Sequence, residues 1–372
     1  MTRRVILVGP LPPPAGGMAN QTEQLARLLR GEAMDVVIVR TNEPYRPAWV
    51  ARIKVLRAVW RLASYVRALS AAIRAGDVVH VMANSGWSWH LFAAPAIWVS
   101  RARGARVLVN YRGGEAEHFL GRSSRLVRLS MRRAQFLAVP SRFLQTVFAK
   151  FGMNASIVPN VVDLTRFRPP VARDAGGAPH LVVTRNLEAI YDVGTSVRAF
   201  ARIRSRFPDA RLTVAGTGPE RDTLSNLCRT LHVEDAVTFT GRLTPDDMSA
   251  LLRSADVMLN SSIADNTPNA ILEALASAVP VVSTDAGGIP YLVEHGVNAM
   301  LVPVRSDEAL ANAAIEILMD PGLRATLISN GLREASRFTW ENVRESLLSA
   351  YDACSVHGSP SVCWPVTGSD RS

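Results

Sequence analysis

Two apolar runs in the second half of the sequence are each followed, within a few residues, by charged side chains. Arg185 follows the run His180–Thr184, Asp265 follows the run Asp256–Leu259, and Glu273 lies eight positions further on. Short apolar runs predict buried strands, and open α/β sheets bind ligands at the carboxyl ends of their strands. A guanidinium in that place can hold two phosphate oxygens. A carboxylate beside a helix start can also serve only the helix dipole, and this reading stays open.

The residues around the two carboxylates predict a loop, a short helix, a strand and a tight turn. Pro268 suits the first turn of a helix over Asn269–Ser277, and Val279–Ser283 is the expected strand. The pair Gly287-Gly288 would let backbone amides approach a ligand closely.

This stretch resembles the retaining glycosyltransferases of family 4, which have the GT-B fold. Their signature is Glu, seven residues, Glu, a helix of small residues, a Pro-Val-Val strand and a Gly-Gly turn. Asp265 stands where the first Glu is usual, and Glu273 matches the second. The resemblance implies that Asp265 and the following Asn266 and Thr267 hold the donor sugar. It implies that Glu273 holds the ribose hydroxyls of the nucleotide.

The resemblance also implies a cation for the leaving diphosphate. Arg185 matches the arginine of the family's Gly-Arg-Leu segment. The family's lysine a few residues later is missing, since Tyr191 and Asp192 occupy that region. Arg112 or another basic residue of the first half is the expected substitute. We therefore expect Arg185, Asp265 and Arg112 to be catalytic.

Further candidates lie at other strand ends. Gly216 lies in Ala215–Pro219, and Gly241 and Arg242 close the segment Phe239–Arg242, near which the family places the nucleotide base. A plain turn is the alternative for each. Gly16 and Gly17 match a Gly-Gly pair near the donor phosphates, in a strand–loop–helix arrangement that suits phosphate. The acceptor-side candidates are Arg112, Gly113, Gly114 and Glu115, and His118 is expected to be a surface or packing residue.

Strand–helix alternation through both halves predicts an α/β fold with parallel sheets. The resemblance to family 4 further implies that this α/β fold consists of two Rossmann-like domains facing a cleft. We expect an N-terminal acceptor-binding domain over 1–165 and a nucleotide-sugar-binding domain over 178–338. A helix over 339–354 would cross back to the first domain, and 355–372 would form a mobile tail. The segment Pro159–Asp163 matches the family's Pro-Asn-Gly-Val-Asp, with Val161 for Gly.

Charge is shared unevenly along the chain. Residues 1–168 hold 25 Lys and Arg against 8 Asp and Glu, whereas the remainder is acidic. The segment Arg52–Arg74 is basic, contains no acid and has apolar residues at helical spacing. Such a helix can lie on an anionic membrane. An ordinary surface helix whose apolar stripe faces the core is an equal alternative.

Several classes of protein are disfavoured by the sequence. The three cysteines show neither metal nor disulfide spacing, which favours a reducing compartment. The start of the chain lacks the apolar core of a signal peptide, and the longest apolar stretch, Leu91–Val99, is too short to span a bilayer. We expect a cytoplasmic protein, peripheral on the inner face of the membrane. No Asp-x-Asp motif is present, which argues against metal-dependent GT-A enzymes.

The leading expectation is a retaining, metal-independent glycosyltransferase without a cofactor. It would move a sugar from a UDP- or GDP-linked donor to a lipid-linked or polysaccharide acceptor of the cell surface. A nucleotide-sugar epimerase or a glycogen-synthase-like enzyme on the same fold is the alternative. A nucleic-acid-binding protein is less favoured, because the basic half lacks a nucleic-acid motif and basic–aromatic interleaving.

Overall fold

The structure is a computed structural model that describes residues 3–13, 16–43, 54–171 and 177–356. It divides into two compact units. The first unit comprises residues 1–159 and 344–372, and the second comprises residues 160–343. No helix among the described residues has the length and apolarity needed to cross a membrane.

The first unit is built on parallel strands alternating with helices. In chain order its elements are β1 (Arg4–Gly9), α1 (Gly17–Gly31), β2 (Asp35–Arg40), α2 (Lys54–Ala72), β3 (Val78–Ala83), a π-helical turn (Trp89–Ala93), α3 (Ala94–Ala102), β4 (Arg106–Tyr111), α4 (Ala116–Met131), β5 (Phe136–Val139), α5 (Arg142–Lys150) and β6 (Ser156–Ile157). The sheet order is β2-β1-β3-β4-β5-β6, with every pairing parallel.

The second unit repeats this plan. Its elements are β7 (His180–Val183), α6 (Val193–Arg206), β8 (Arg211–Ala215), α7 (Arg221–Thr230), β9 (Val237–Gly241), α8 (Pro245–Arg253), β10 (Val257–Asn260), α9 (Asn269–Ala276), β11 (Val281–Thr284), β12 (Met300–Val302), α10 (Asp307–Met319) and α11 (Pro321–Ser336). The order is β12-β11-β10-β7-β8-β9, again parallel. A final helix, α12 (Trp340–Val356), belongs to the first unit from Arg344 onward.

The central strands of the second sheet, β7, β10 and β11, are buried on both faces, whereas the edge strand β9 leaves Thr238 and Thr240 exposed. Leu181 and Val183 join a core cluster with the residues of α6, α7 and α10, while the intervening Val182 joins the cluster of α8 and α9. Alternate side chains of a strand point to opposite faces, so a continuous apolar run is what such a strand requires. This explains why the strands were visible in the sequence.

Helix starts carry local signals. Ser306 accepts a hydrogen bond from the Ala309 amide at the start of α10. Asp320 accepts hydrogen bonds from two amides of α11, whose first residue is Pro321. Each side chain satisfies amides that lack a partner inside the helix. Neither of these helices was expected from the sequence, and nor were α4 and β12.

The segment that follows Pro159 packs with the second unit. The Val162 amide donates to the Phe338 carbonyl over 2.8 Å, and the buried Phe167 joins the cluster around α9. The division at Pro159 and Arg344 therefore lies a few residues before 165 and after 338, the boundaries expected from the sequence. The residues between the two expected domains and the expected tail lie partly outside the described residues, at 172–176 and 357–372.

Candidate functional site

The strand order of the second sheet reverses between β7 and β10. From β7 the chain proceeds to β8 and β9 on one side, and β10 to β12 are added on the other. In open α/β sheets, the crevice outside the carboxyl ends at such a switch point is the usual ligand site. Arg185 lies two residues beyond the end of β7, and the Asp265 loop follows β10. The fold thus brings the candidate residues to one edge of the second sheet.

Arg185 is fixed from two directions. Its Nη2 donates to the Asp265 carboxylate in an ion pair whose side chains are 10% and 14% exposed. Its guanidinium lies over the Tyr191 ring, 4.1 Å from the ring centroid. Its Nε is buried and has no hydrogen-bond partner within the described part of the chain. A buried donor without a partner is costly, and a bound anion would satisfy it.

Glycines bring the loops of this edge together. A side chain at Gly216 would place its Cβ closer than 3.0 Å to the Arg185 carbonyl oxygen. A side chain at Gly287 or Gly288 would equally meet the carbonyls of Asp265 or Asn266. The Gly288 amide donates to the Asp265 carbonyl over 2.8 Å. The Gly-Gly pair that was expected to admit a ligand therefore packs against the backbone of the Asp265 loop.

Glu273 lies in the second turn of α9 and is half-buried. Burial raises the pKa of its carboxyl to about 7, although the positive charges of Arg185 and Arg166 oppose the rise. Perturbed carboxyl groups in a crevice are typical of functional sites. Glu273 thus lies on the helix that directly follows the Asp265 loop.

The start of α9 is held by Asn160, from the segment that joins the two units. Asn160 Nδ2 donates to the Thr267 carbonyl over 3.0 Å and to Asn269 Oδ1 over 2.6 Å. Thr267 Oγ1 is buried and has no hydrogen-bond partner among the described residues. The Asn266 amide donates to Asp265 Oδ1 over 2.9 Å. The loop is thus ordered by its own polar groups.

Three further donor-binding candidates, Gly216, Gly241 and Arg242, lie on two neighbouring loops. Gly241 ends β9 with a φ of 71°, which favours glycine. The exposed Arg242 reaches Thr217 Oγ1, in the loop after β8, over 3.4 Å. Gly216 belongs to the same loop as Thr217, so these three candidates meet at the carboxyl ends of β8 and β9.

The first-unit candidates surround Arg112, which follows β4 directly. Its amide donates to the Ala83 carbonyl over 2.9 Å, and its Nη1 donates to Gln21 Oε1 on α1, also over 2.9 Å. A Cβ at Gly113 would lie 2.6 Å from the Ser85 nitrogen, so only glycine fits there. The remaining candidates lie at helix starts: Gly16 caps α1, Gly17 begins it, and Gly114 and the exposed Glu115 precede α4.

Sequence reasoning missed some contacts of this constellation. Tyr191 was noted only as standing where a lysine is usual, and its stacking on Arg185 was not foreseen. Gln21 and Asn110, which hold Arg112, carried no signal in the sequence. Among the described residues, no group of three or more His, Cys, Asp or Glu side chains lies together in a way that could hold a metal ion.

Two family models match consecutive parts of the chain. The model described as "Glycosyl transferase 4-like domain" matches residues 16–160, and the model "Glycosyl transferases group 1" matches residues 169–334. Together they include all the second-unit candidates and all the first-unit candidates named above.

Curated relatives are glycosyltransferases and a related synthase. A GDP-mannose-dependent alpha-(1-6)-phosphatidylinositol monomannoside mannosyltransferase of Mycobacterium tuberculosis is 29% identical over 385 residues, covering 93% of this chain and 97% of that protein. N-acetyl-alpha-D-glucosaminyl L-malate synthase of Bacillus anthracis is 35% identical over 174 residues, 46% of this chain. The chain spans only 43% of that synthase's length.

A solved structure supports the fold. The Anabaena protein HepE, determined in complex with UDP-glucose, superposes with a TM-score of 0.74 at 18% identity. The superposition covers 94% of this chain and 99% of that protein. The predicted α/β class with two Rossmann-like halves is confirmed, and the chain belongs to the group 1 glycosyltransferases, family 4, of the GT-B fold.

Proposed function

We propose that the chain is a retaining, metal-independent glycosyltransferase that uses a nucleotide-sugar donor. The acceptor would be a lipid-linked saccharide or a polysaccharide in cell-surface glycan synthesis. The observation that carries the proposal is the Arg185–Asp265 pair beside Glu273 at the switch point of the second sheet.

Arg185 stabilises the departing diphosphate in this proposal. As the sugar–phosphate bond breaks, negative charge grows on the phosphate oxygens, and a fixed cation lowers the energy of that state. The stack on Tyr191 and the ion pair with Asp265 fix the guanidinium before the donor arrives. Preorganisation of this kind avoids rearrangement at the moment of reaction.

Glu273 and the Asp265 loop bind the two ends of the donor. The Glu273 carboxylate accepts hydrogen bonds from the ribose, and the loop of Asp265, Asn266 and Thr267 faces the sugar. The Asn266 amide donates a hydrogen bond to Asp265 Oδ1. A sugar hydroxyl would compete for this carboxylate oxygen. Gly216, Gly241 and Arg242 would border the base.

The first unit binds the acceptor in this proposal. Arg112 supplies a cation in place of the lysine that the family usually has near Tyr191, and Gly113, Gly114 and Glu115 line the acceptor side. Gly16 and Gly17 present the amides at the start of α1 to a phosphate, since helix starts favour anions.

An anionic membrane is the proposed surface on which a lipid-linked acceptor is met. On the described part of α2, Tyr65 and Leu69 are buried in the core, as is Ile73 directly after the helix, so these side chains are not available to lipid. The outward face of α2 keeps Trp60, 44% exposed, and Arg67. Any contribution of α2 to membrane binding is therefore limited to this outward face.

The outer face of α4 extends the basic surface. Leu126 and Leu129 are 58% and 45% exposed, and the exposed arginines of the helix stand beside them. From residue 118 to 133 the chain contains five arginines and no acid. Exposed apolar side chains with basic neighbours suit the boundary of an anionic bilayer.

Vesicle binding tests this surface with three matched triple Arg→Gln variants. One carries changes at Arg57, Arg61 and Arg67 on α2, one at Arg122, Arg125 and Arg132 on α4, and a control at the exposed Arg206, Arg229 and Arg333. At about 1 kcal/mol per charge, each of the first two should reduce binding to phosphatidylglycerol vesicles about 100-fold, and the control should not. Wild-type protein that ignores such vesicles at low salt would refute the membrane proposal.

A donor panel tests the proposed activity. The full chain is incubated with UDP-glucose, UDP-N-acetylglucosamine, GDP-mannose and related donors, and mass spectrometry follows release of the nucleotide by slow transfer to water. We expect one donor to be consumed, with and without EDTA. Conversion to an isomeric nucleotide-sugar without release would instead indicate an epimerase, and stabilisation only by oligonucleotides would indicate a nucleic-acid-binding protein.

A further inference from the structure

A chain of hydrogen bonds runs through the first unit from α12 to Arg112. Tyr351 Oη on α12 lies 2.8 Å from His80 Nδ1 on β3. His80 Nε2 lies 3.1 Å from Asn110 Nδ2 on β4, and Asn110 Oδ1 accepts from Arg112 Nε over 3.1 Å. Tyr351 and His80 are fully buried, and Asn110 is 1% exposed.

The direction of each hydrogen bond follows from the chemistry at the Arg112 end. A guanidinium only donates, so Asn110 must present its carbonyl oxygen to Arg112 and its amide nitrogen to His80. His80 Nε2 must then accept, which leaves the proton of the neutral ring on Nδ1, facing Tyr351. One tautomer of His80 is therefore compatible with the whole chain of bonds.

The environment of His80 keeps this tautomer uncharged. Burial, with the charge of Arg112 as a smaller cause, lowers the pKa of His80 to about 3. A protonated ring would direct an Nε2–H at the Asn110 amide, where no acceptor remains. Burial raises the pKa of Tyr351 well above its usual value, so its hydroxyl also stays neutral.

We propose that Tyr351 and His80 are positioning residues that hold the Arg112 guanidinium at the carboxyl end of β4. The proposal rests on the proposed function in giving Arg112 a role in transfer. Asn110 holds Nε, and Gln21 on α1 holds Nη1, so the guanidinium plane is fixed at two nitrogens. Tyr351 Oη gives the Nδ1–H of this tautomer its acceptor, and His80 Nε2 accepts from the Asn110 amide, so each group that supports Arg112 has a partner.

This arrangement assigns a task to α12 beyond packing. Tyr351 is 271 positions from His80 in sequence, and its hydroxyl meets the polar chain through the core of the unit. Buried polar networks that are fully satisfied specify one geometry, because any rearrangement leaves a group without a partner.

The test compares two Tyr→Phe variants that each remove one buried hydroxyl from the first unit. Tyr351→Phe breaks the chain of bonds at its start. Tyr65→Phe is the matched control. Tyr65 lies on α2, and its Oη donates to the Phe92 carbonyl over 2.9 Å, outside the chain of bonds to Arg112. Both variants keep their rings, and both are compared by thermal unfolding.

Nitrogen NMR reports the position of the Arg112 guanidinium and needs no glycosyl acceptor substrate. The Arg112 Nε–H signal is identified by its loss in Arg112→Lys, and the His80 ring nitrogens show the tautomer. We expect a protonated Nδ1 in the wild type, and a shifted, faster-exchanging Arg112 signal in Tyr351→Phe but not in Tyr65→Phe. A protonated Nε2 in the wild type, or an unmoved Arg112 signal in Tyr351→Phe, would overturn the proposal.

Kinetics with the donor found in the panel separate this proposal from the proposed function. Tyr351→Phe should lower kcat several-fold and leave the donor KM near its wild-type value, whereas Tyr65→Phe should change neither. Normal turnover in Arg112→Ala would refute the role of Arg112 in transfer. The NMR experiment would still test whether Tyr351 positions the Arg112 guanidinium, because it does not depend on turnover.

Discussion

Replacing Glu273 by Gln should stabilise the ligand-free protein and weaken donor binding at once. Burial raises the pKa of this carboxyl from 4.5 to about 7. A raised carboxyl pKa means that the unfolded chain ionises first, so stability is lost as pH rises from 4.5 through 7. At about 1.4 kcal/mol per pH unit the loss approaches roughly 3 kcal/mol by pH 8. Since Glu273 is half-buried, solvent screening makes this an upper value.

The Gln side chain carries no charge and avoids this cost. Glu273→Gln should therefore unfold several degrees higher than the wild type at pH 8, and at nearly the same temperature near pH 4. The control is Glu316→Gln, on the exposed face of α10, which should leave the unfolding temperature unchanged at both values. A Glu273→Gln protein less stable than the wild type at pH 8 would refute the reasoning from burial.

Donor binding should move in the opposite direction. Loss of a charged acceptor for the ribose should cost about 1.5–3 kcal/mol, or roughly 10- to 150-fold in affinity. In the wild type the affinity should rise about tenfold between pH 6 and 8 as the carboxyl with a pKa of about 7 ionises, and Glu273→Gln should lack this rise. Calorimetry with the donor from the panel measures both. Equal affinity in the two proteins would exclude Glu273 from the ribose site.

Two further changes test the same edge of the second sheet. Arg185→Ala should lower kcat by about 10²–10³, with a smaller change in the donor KM, because its charge acts most on the breaking bond. The kcat of Arg185→Lys should lie between those of the wild type and Arg185→Ala. A folded Arg185→Ala enzyme with near-normal kcat would show that another residue stabilises the departing diphosphate. Gly288→Ala should destabilise by about 1–3 kcal/mol and weaken donor binding, because its Cβ would meet the Asn266 carbonyl. Gly31→Ala, which meets nothing within 4 Å, is its control in unfolding experiments.

Strands and strand-end residues could be predicted from the sequence because burial on both faces leaves a continuous apolar run. The run before Arg185 becomes β7 and the run before Asp265 becomes β10. Helices α4, α10 and α11 lie in segments where no motif drew attention.

Contacts between loops could not be predicted. The stacking of Tyr191 on Arg185 depends on the path of the chain between them, and on Gly216 admitting the Arg185 backbone. The link from Tyr351 to His80 joins positions that only the folded unit brings together. The apolar residues of α2 had two readings in the sequence, and the described ones divide between them: Leu69 is buried in the core, whereas Trp60 is 44% exposed.

The placement of the donor can be seen in a crystal structure of the full chain with its nucleotide, UDP or GDP. We expect ribose hydroxyls within hydrogen-bond distance of the Glu273 carboxylate and diphosphate oxygens on the Arg185 guanidinium. Nucleotide bound away from the carboxyl ends of β7 and β10, with Arg185 contacting only Asp265 and Tyr191, would contradict this placement.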